Sequence, residues 1–229
     1  MAGEAQGQLE AASKKPCKKK LGAEAAFKAT FGKALEALPL PKERKVRLWV
    51  EDEHRYGLIS FIRRCWTLKG HRCTAPYQTK YEWGYVYAAA EVVTGGMQVL
   101  YTPTVSLTWT QVFPEQLVET DPEAWHILLW DQAGFHPQPE APTLPAQVCL
   151  LPFPPYCPEL NPVEGLWDQV KARLANELWE TLALAEAAIT EVLKPFWEQE
   201  TAVRSLLGDG WLTKGVASFL EKRNSLIIT

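Results

Sequence analysis

The sequence predicts an α/β fold in which helices flank a central sheet. Three observations carry this. Runs rich in β-branched and aromatic residues fill the first half, helical stripes dominate the final third, and 47 % apolar against 22 % charged residues suits a packed core.

The elements follow in order. Residues 1–20 read as a flexible arm that gathers Lys14, Lys15, Lys18, Lys19 and Lys20. Phe27, Phe31, Leu35 and Leu38 recur at helical spacing, and Leu38-Pro39-Leu40-Pro41 closes that helix. Val46 to Asp52 alternates as a strand. Arg55 to Trp66, after a turn, is expected as a second one. Tyr81 to Val93, the turn Thr94-Gly95-Gly96, and Met97 to Thr102 form a hairpin. A helix is expected over Ser106 to Thr120, with Pro114 either disturbing its middle or ending its first part. Ala124 to Trp130 and Gln147 to Leu151 are short apolar runs typical of buried strands. Between them, 134–145 is proline-rich and carries no helical pattern. Val163, Leu166, Trp167, Val170 and Leu174 form a helical stripe, a second helix spans Leu182 to Leu193 and stops near Pro195, and a last helix covers Trp211 to Arg223.

Composition excludes several classes. No run approaches the roughly 18 apolar residues of a membrane span, and the acidic start lacks the apolar core of a signal peptide. Five widely spaced cysteines without a C-x-x-C pair argue against a disulfide framework, and free or buried thiols in a cytoplasmic protein are expected. Cys65, Cys73, His54 and His71 are poorly spaced for zinc. Most of the ten tryptophans read as packing residues. Net charge is −3, yet residues 42–72 hold nine Lys or Arg against four Asp or Glu, a local basic stretch.

Three carboxylates stand where α/β sheets host chemistry. Asp52 ends the first strand, on the face of Leu48 and Val50, with Glu51 and Glu53 pointing the other way. Asp131 follows the run Ile127-Leu128-Leu129-Trp130. Glu164 lies in the first turn of the stripe helix, where Asn161 as N-cap and Pro162 at N1 would let it close a capping box instead. Neighbouring strands would set Asp52 beside Asp131. Like charges that close call for a divalent cation, and hard oxygen donors favour magnesium or manganese over zinc.

The segment Leu151-Pro152-Phe153-Pro154-Pro155-Tyr156-Cys157-Pro158-Glu159-Leu160-Asn161-Pro162-Val163-Glu164-Gly165-Leu166-Trp167 closely resembles the signature of mariner-type transposases, above all the bacterial insertion sequence six-thirty family. Val50 to Leu58 looks like that family's first-aspartate strand, and Leu128 to His136 like its second. Arg63 to Arg72 is similar to the basic hairpin between them. The resemblance implies a ribonuclease H-like fold with a mixed five-stranded sheet over residues 21–200, followed by a C-terminal helical tail, 201–229. It implies Asp52, Asp131 and Glu164 as catalytic carboxylates holding two Mg²⁺ ions, or Mn²⁺, with Asp52 bridging both. Arg63, Arg64, Lys69 and Arg72 would touch DNA phosphates, and Asn161 and His136 would support the carboxylates.

The implied activity is cleavage of DNA at transposon ends and strand transfer into target DNA, usually at a TA dinucleotide, by an oligomer on DNA. Gln132, Cys157 and Gly165 depart from the family pattern without removing a carboxylate. The helix-turn-helix modules that begin such transposases are not evident ahead of Phe27, so the chain reads as the catalytic half alone: one of two separately encoded halves, a trimmed piece, or the remnant of a decayed element. The alternative is a non-catalytic DNA-binding or assembly remnant of a decayed element.

Overall fold

The structure, a computed structural model, describes residues 20–139 and 141–227. The lysine-rich arm expected over 1–20 lies outside the described residues except for Lys20. Helix α1 (Ala23–Glu36) leads into strands β1 (Val46–Ile59), β2 (Thr79–Glu91) and β3 (Met97–Thr102). Helix α2 (Leu107–Glu119), strands β4 (Trp125–Trp130) and β5 (Val148–Pro152), and a 3₁₀ turn at Pro158–Leu160 follow. Helices α3 (Glu164–Leu174), α4 (Leu182–Glu198), α5 (Glu200–Leu207) and α6 (Trp211–Ile227) complete the described chain.

The five strands form one sheet in the order β3-β2-β1-β4-β5. β1 pairs antiparallel with β2, and β2 with β3, whereas β4 lies parallel to β1 and β5 parallel to β4. The sheet is therefore mixed, and its centre is β1.

Strand alternation divides the core in two. Leu48, Val50, Val86, Ala88, Ile127 and Leu129 face one layer, where Leu166, Trp167, Ile189 and Leu193 of α3 and α4 pack on them. Phe31 and Leu35 of α1, Val203 and Leu207 of α5, and Leu212 and Val216 of α6 join the same cluster. The segment beyond residue 200 is thus helical and also part of the main core. Phe31 meets the Trp211 ring edge-on at 5.0 Å between centroids. The other face is thinner: Trp49, Tyr87, Leu128 and Trp130 pack under Phe113 and Leu117 of α2.

Four boundaries differ from expectation. β1 runs unbroken from Val46 to Ile59, with no turn before Arg55, because β2 pairs with it from Trp49 to Gly57. Gly57 serves this ladder rather than a turn: a Cβ there would collide with the Trp83 ring and the Glu82 carbonyl. Gly57→Ala is expected to cost about 1–3 kcal/mol through this overpacking, read as a lower denaturant midpoint. The basic segment 60–78 forms no hairpin ladder. It is a loop in which Cys65 and Cys73 are joined as a disulfide, correcting the expectation of free thiols for this pair. The buried Cys149 and Cys157 are free, as expected. Finally, Pro114 and Pro195 sit inside α2 and α4, and neither ends its helix. A proline removes one backbone hydrogen bond, and burial of Phe113, Leu117 and Phe196 beside these two carries each helix through.

Among the described residues no helix is long and apolar enough to cross a membrane.

Candidate active site

The parallel pairing of β1 with β4 positions two of the three carboxylates. The register ends with Val50 opposite Leu129; Asp52 stands two residues further along β1, and Asp131 one residue past the end of β4. Glu164 opens α3, directly after the proline-rich signature segment. All three side chains line one cleft of about 590 Å³, whose walls include Gln132, Phe153 and Tyr156.

Each carboxylate is held differently. Asp52 is largely buried, and its Oδ2 accepts the indole N–H of Trp167 at 2.8 Å. Burial raises its pKa well above the usual aspartate value, repulsion from Glu164, Glu53 and Asp131 adds to the rise, and the Trp167 bond offsets part of it. Asp131 is half exposed, and its Oδ1 accepts the Ala133 N–H at 2.8 Å. His136 Nδ1 lies 3.0 Å from both the carbonyl and Oδ1 of Asp131. Burial pushes the Asp131 carboxyl up, but the His136 and Ala133 bonds outweigh it, so its pKa falls below the usual value. Burial raises Glu164, against the pull of Lys171.

Asn161 makes the side-chain bond expected of an N-cap, one turn ahead of α3, but closes no capping box. Its N–H goes to the Pro158 carbonyl, its Oδ1 accepts from Val163 N–H at 3.1 Å, and its Nδ2 donates to the Glu51 carbonyl at 2.8 Å. It thereby ties the start of α3 to β1. Val163 occupies the N-cap position without a side-chain cap, so no capping box claims Glu164. Gln132, a departure in the sequence pattern, donates to the Phe153 carbonyl at 2.8 Å and joins the residue after Asp131 to the signature segment. Within that segment Tyr156 has a φ of 59°, a left-handed conformation costly for a non-glycine residue and characteristic of functional loops.

His136 is buried, stacks on Trp130 at 4.3 Å, and sits 3.6 Å from Glu53 Oε2 through its Nε2. Burial opposes its charge, yet Asp131, Glu53 and Glu51 together push its pKa up to about 11. His54, by contrast, stacks on Trp167, and burial together with Lys171 and Arg55 brings its pKa down to about 4, so it is neutral at physiological pH.

The tightest group of potential ligands among the described residues is not the Asp52–Asp131–Glu164 set. It is Glu51, Glu53 and His136, whose donor atoms lie within 4.8 Å of one another on the opposite face of β1. Asp52, Asp131 and Glu164 share one cleft but do not form such a group.

Arg63, Arg64, Lys69 and Arg72 are all exposed on the loop between β1 and β2. The loop is anchored near the end of α3: Arg63 N–H donates to Asn176 Oδ1 and Asn176 N–H to the Phe61 carbonyl, each at 2.9 Å.

Sequence reasoning missed two features. Trp167 lies in the apolar stripe and gives no sign that its N–H reaches Asp52. Glu51 sits in a run of three acids that resembles a solvated turn, whereas it is 1 % exposed; strand alternation alone carried the hint.

Residues 47–183 match the model of the DDE superfamily endonuclease family. The chain belongs to that family. Membership makes it an endonuclease-type phosphoryl transferase by descent, and the matched span contains all three carboxylates. A protein of Sinorhizobium fredii described as uncharacterized, y4pE/y4sA, is 32 % identical over 103 residues, covering 43 % of this chain and 73 % of that protein.

Among solved structures, the Mos1 transposase paired-end complex with the left transposon end aligns at a TM-score of 0.58 with 16 % identity, over 93 % of this chain and 67 % of that one. The Mos1 mariner paired-end complex with Mn aligns at 0.56 with 16 % identity, over 93 % and 68 %, and the complex with Mg at 0.55 with 15 % identity, over 94 % and 67 %. The DDE endonuclease chain thus spans about two thirds of the Mos1 chain, and the shared fold is ribonuclease H-like with a mixed five-stranded sheet.

Proposed function

We propose that this chain is the catalytic domain of a mariner-type transposase of the insertion sequence six-thirty kind. It cuts DNA phosphodiester bonds at transposon ends and joins the freed end to target DNA. The observation that carries this reading is that Asp52 of β1, Asp131 just past the end of the adjacent parallel β4, and Glu164 line one cleft. The signature segment, the family match and the Mos1-like fold support it.

The donor set fits hard divalent cations: three carboxylates face one cleft, and the burial and repulsion that oppose charge on Asp52 are what a cation offsets. Asp52 would be shared between two ions, with Asp131 and Glu164 each holding one. Bound Mg²⁺ or Mn²⁺ would supply activation of water or a DNA 3′-hydroxyl and charge stabilisation at the leaving oxygen.

The chain's own residues do the positioning. Trp167 fixes one Asp52 oxygen and leaves the other for the cleft. Ala133 and His136 hold Asp131 ionised and oriented. Asn161 locks α3 to β1 and so sets where Glu164 enters. No covalent intermediate with the protein is formed, so no nucleophilic side chain is needed. Arg63, Arg64, Lys69 and Arg72 hold the DNA backbone. Arg63→Ala with Arg64→Ala is expected to weaken binding to any duplex and to lower the slope of log affinity against log salt by about 2, measured by fluorescence anisotropy.

A supercoiled-plasmid nicking assay tests the reading. The expected result is nicking in magnesium or manganese that chelation abolishes and Asp131→Asn eliminates. Binding of DNA without cutting in either metal would contradict it and mark the chain as a non-catalytic DNA-binding or assembly module. Assembly as an oligomer on DNA, with a helix-turn-helix partner reading the ends, belongs to the same proposal.

A further inference from the structure

The proposed chemistry leaves one buried cluster unused. Glu51 is 1 % exposed, and neither of its carboxylate oxygens has a hydrogen-bond partner. Glu53 Oε2 and His136 Nε2 are also buried, and they face each other as an ion pair at 3.6 Å. Donor atoms of these three residues converge within 4.8 Å. A buried carboxylate with both oxygens unbonded, as in Glu51, is expensive, and the three side chains aim at one point.

The geometry specifies what kind. His136 Nδ1 sits 3.0 Å from both the carbonyl and a carboxylate oxygen of Asp131, acceptors that fix the proton on Nδ1 and turn Nε2 toward the two glutamates. A metal-ligating histidine is held in this way, with its far nitrogen donating to a carbonyl or carboxylate. The 3.6 Å between His136 Nε2 and Glu53 Oε2 is too long for a hydrogen bond. It is close to the about 3.4 Å separating two donors that each lie about 2.1 Å from one tetrahedral ion. The buried Tyr87 hydroxyl lies beside the same glutamates.

We infer that Glu51, Glu53 and His136 form a second divalent-cation site, separate from the carboxylate cleft and suited to zinc or manganese rather than magnesium. One imidazole nitrogen with two carboxylates is a mixed donor set, which transition ions accept and magnesium does not favour. The ion takes the place of the Nε2 proton, which leaves to solvent. It pins the loop that follows β4 to the middle of β1 and so holds the backbone on which Asp131 is mounted.

The test uses the full chain carrying Asp52→Asn and Glu164→Gln, so that ion binding in the cleft is removed and the two readings fail separately. Equilibrium dialysis with elemental analysis is expected to give one equivalent of Zn²⁺ or Mn²⁺ per chain, and Co²⁺ a visible ligand-field spectrum. Zinc is expected to raise the melting temperature, and magnesium alone to leave it unchanged. Adding Glu51→Leu, which fills the space with an apolar side chain, or Glu53→Gln is expected to lower zinc affinity at least tenfold and to erase the thermal shift. Failure of the double variant to bind zinc or manganese, or equal binding after Glu51→Leu, would overturn the site. A Glu51→Leu chain that melts higher than its parent at every zinc concentration would do so too, leaving only an imidazolium between two carboxylates.

Discussion

Asp52→Asn is expected to lower metal-dependent nicking by about 10³-fold or more, equivalent to about 4 kcal/mol of barrier, without destabilising the fold. The two halves of this result have separate causes. Activity falls because the residue proposed to be shared by both ions loses its charge. Stability holds because asparagine keeps an oxygen to accept the Trp167 N–H, while the charge it removes is one that burial and neighbouring carboxylates oppose. A carboxyl whose native pKa lies above its unfolded value gives its stability below the unfolded value and loses it as pH rises through the native one. The melting temperature of Asp52→Asn relative to the parent, without added metal, should therefore increase from acid toward neutral pH. Loss of activity with a lower melting temperature throughout would assign Asp52 a structural role instead.

Trp167→Ala is the substitution expected to damage the fold most, by about 3–5 kcal/mol. Trp167 is 1 % exposed, packs in the main core, and stacks on His54 at 5.4 Å. Domains hold only about 5–15 kcal/mol in total, so this change brings the chain near its limit. Trp167→Phe separates packing from hydrogen bonding. It keeps most of the ring contact and loses the N–H to Asp52, at a cost of up to about 2 kcal/mol. Nicking by this variant should fall further than its stability explains, because the Asp52 carboxylate is then free to rotate. Denaturant titration beside single-turnover nicking at a temperature where both proteins are folded provides the comparison. Equal activity in Trp167→Phe and the parent would remove Trp167 from the positioning role.

Much of this was legible in the sequence, for identifiable reasons. Alternation around Leu48, Val50 and Asp52 predicted which face the aspartate takes, and the runs ending at Trp130 and Leu151 behave as buried parallel strands. What escaped was tertiary. No local signal separates a turn at Glu53-His54 from a continuous strand; pairing with β2 decides it, with Gly57 making room for Trp83. Pro114 and Pro195 look like helix ends because the packing that carries each helix through comes from distant residues. Asn161 has the local grammar of an N-cap and its oxygen serves as one, but nothing local announces that its amide nitrogen reaches the Glu51 carbonyl, 110 residues away. Glu51 and Glu53 appeared as flanking charge because exposure cannot be read from a three-residue acidic run. The Cys65–Cys73 pairing lies in a loop with no periodic pattern to announce it.

The claim on which the account rests is that Asp52, Asp131 and Glu164 share bound cations in one cleft. A manganese-soaked crystal, with anomalous difference maps at the manganese edge, tests it most directly. The account predicts a peak in the cleft within about 2.2 Å of an Asp52 oxygen, with a second ligand from Asp131 or Glu164. A map with no peak there, or with manganese only between Glu51, Glu53 and His136, would contradict it.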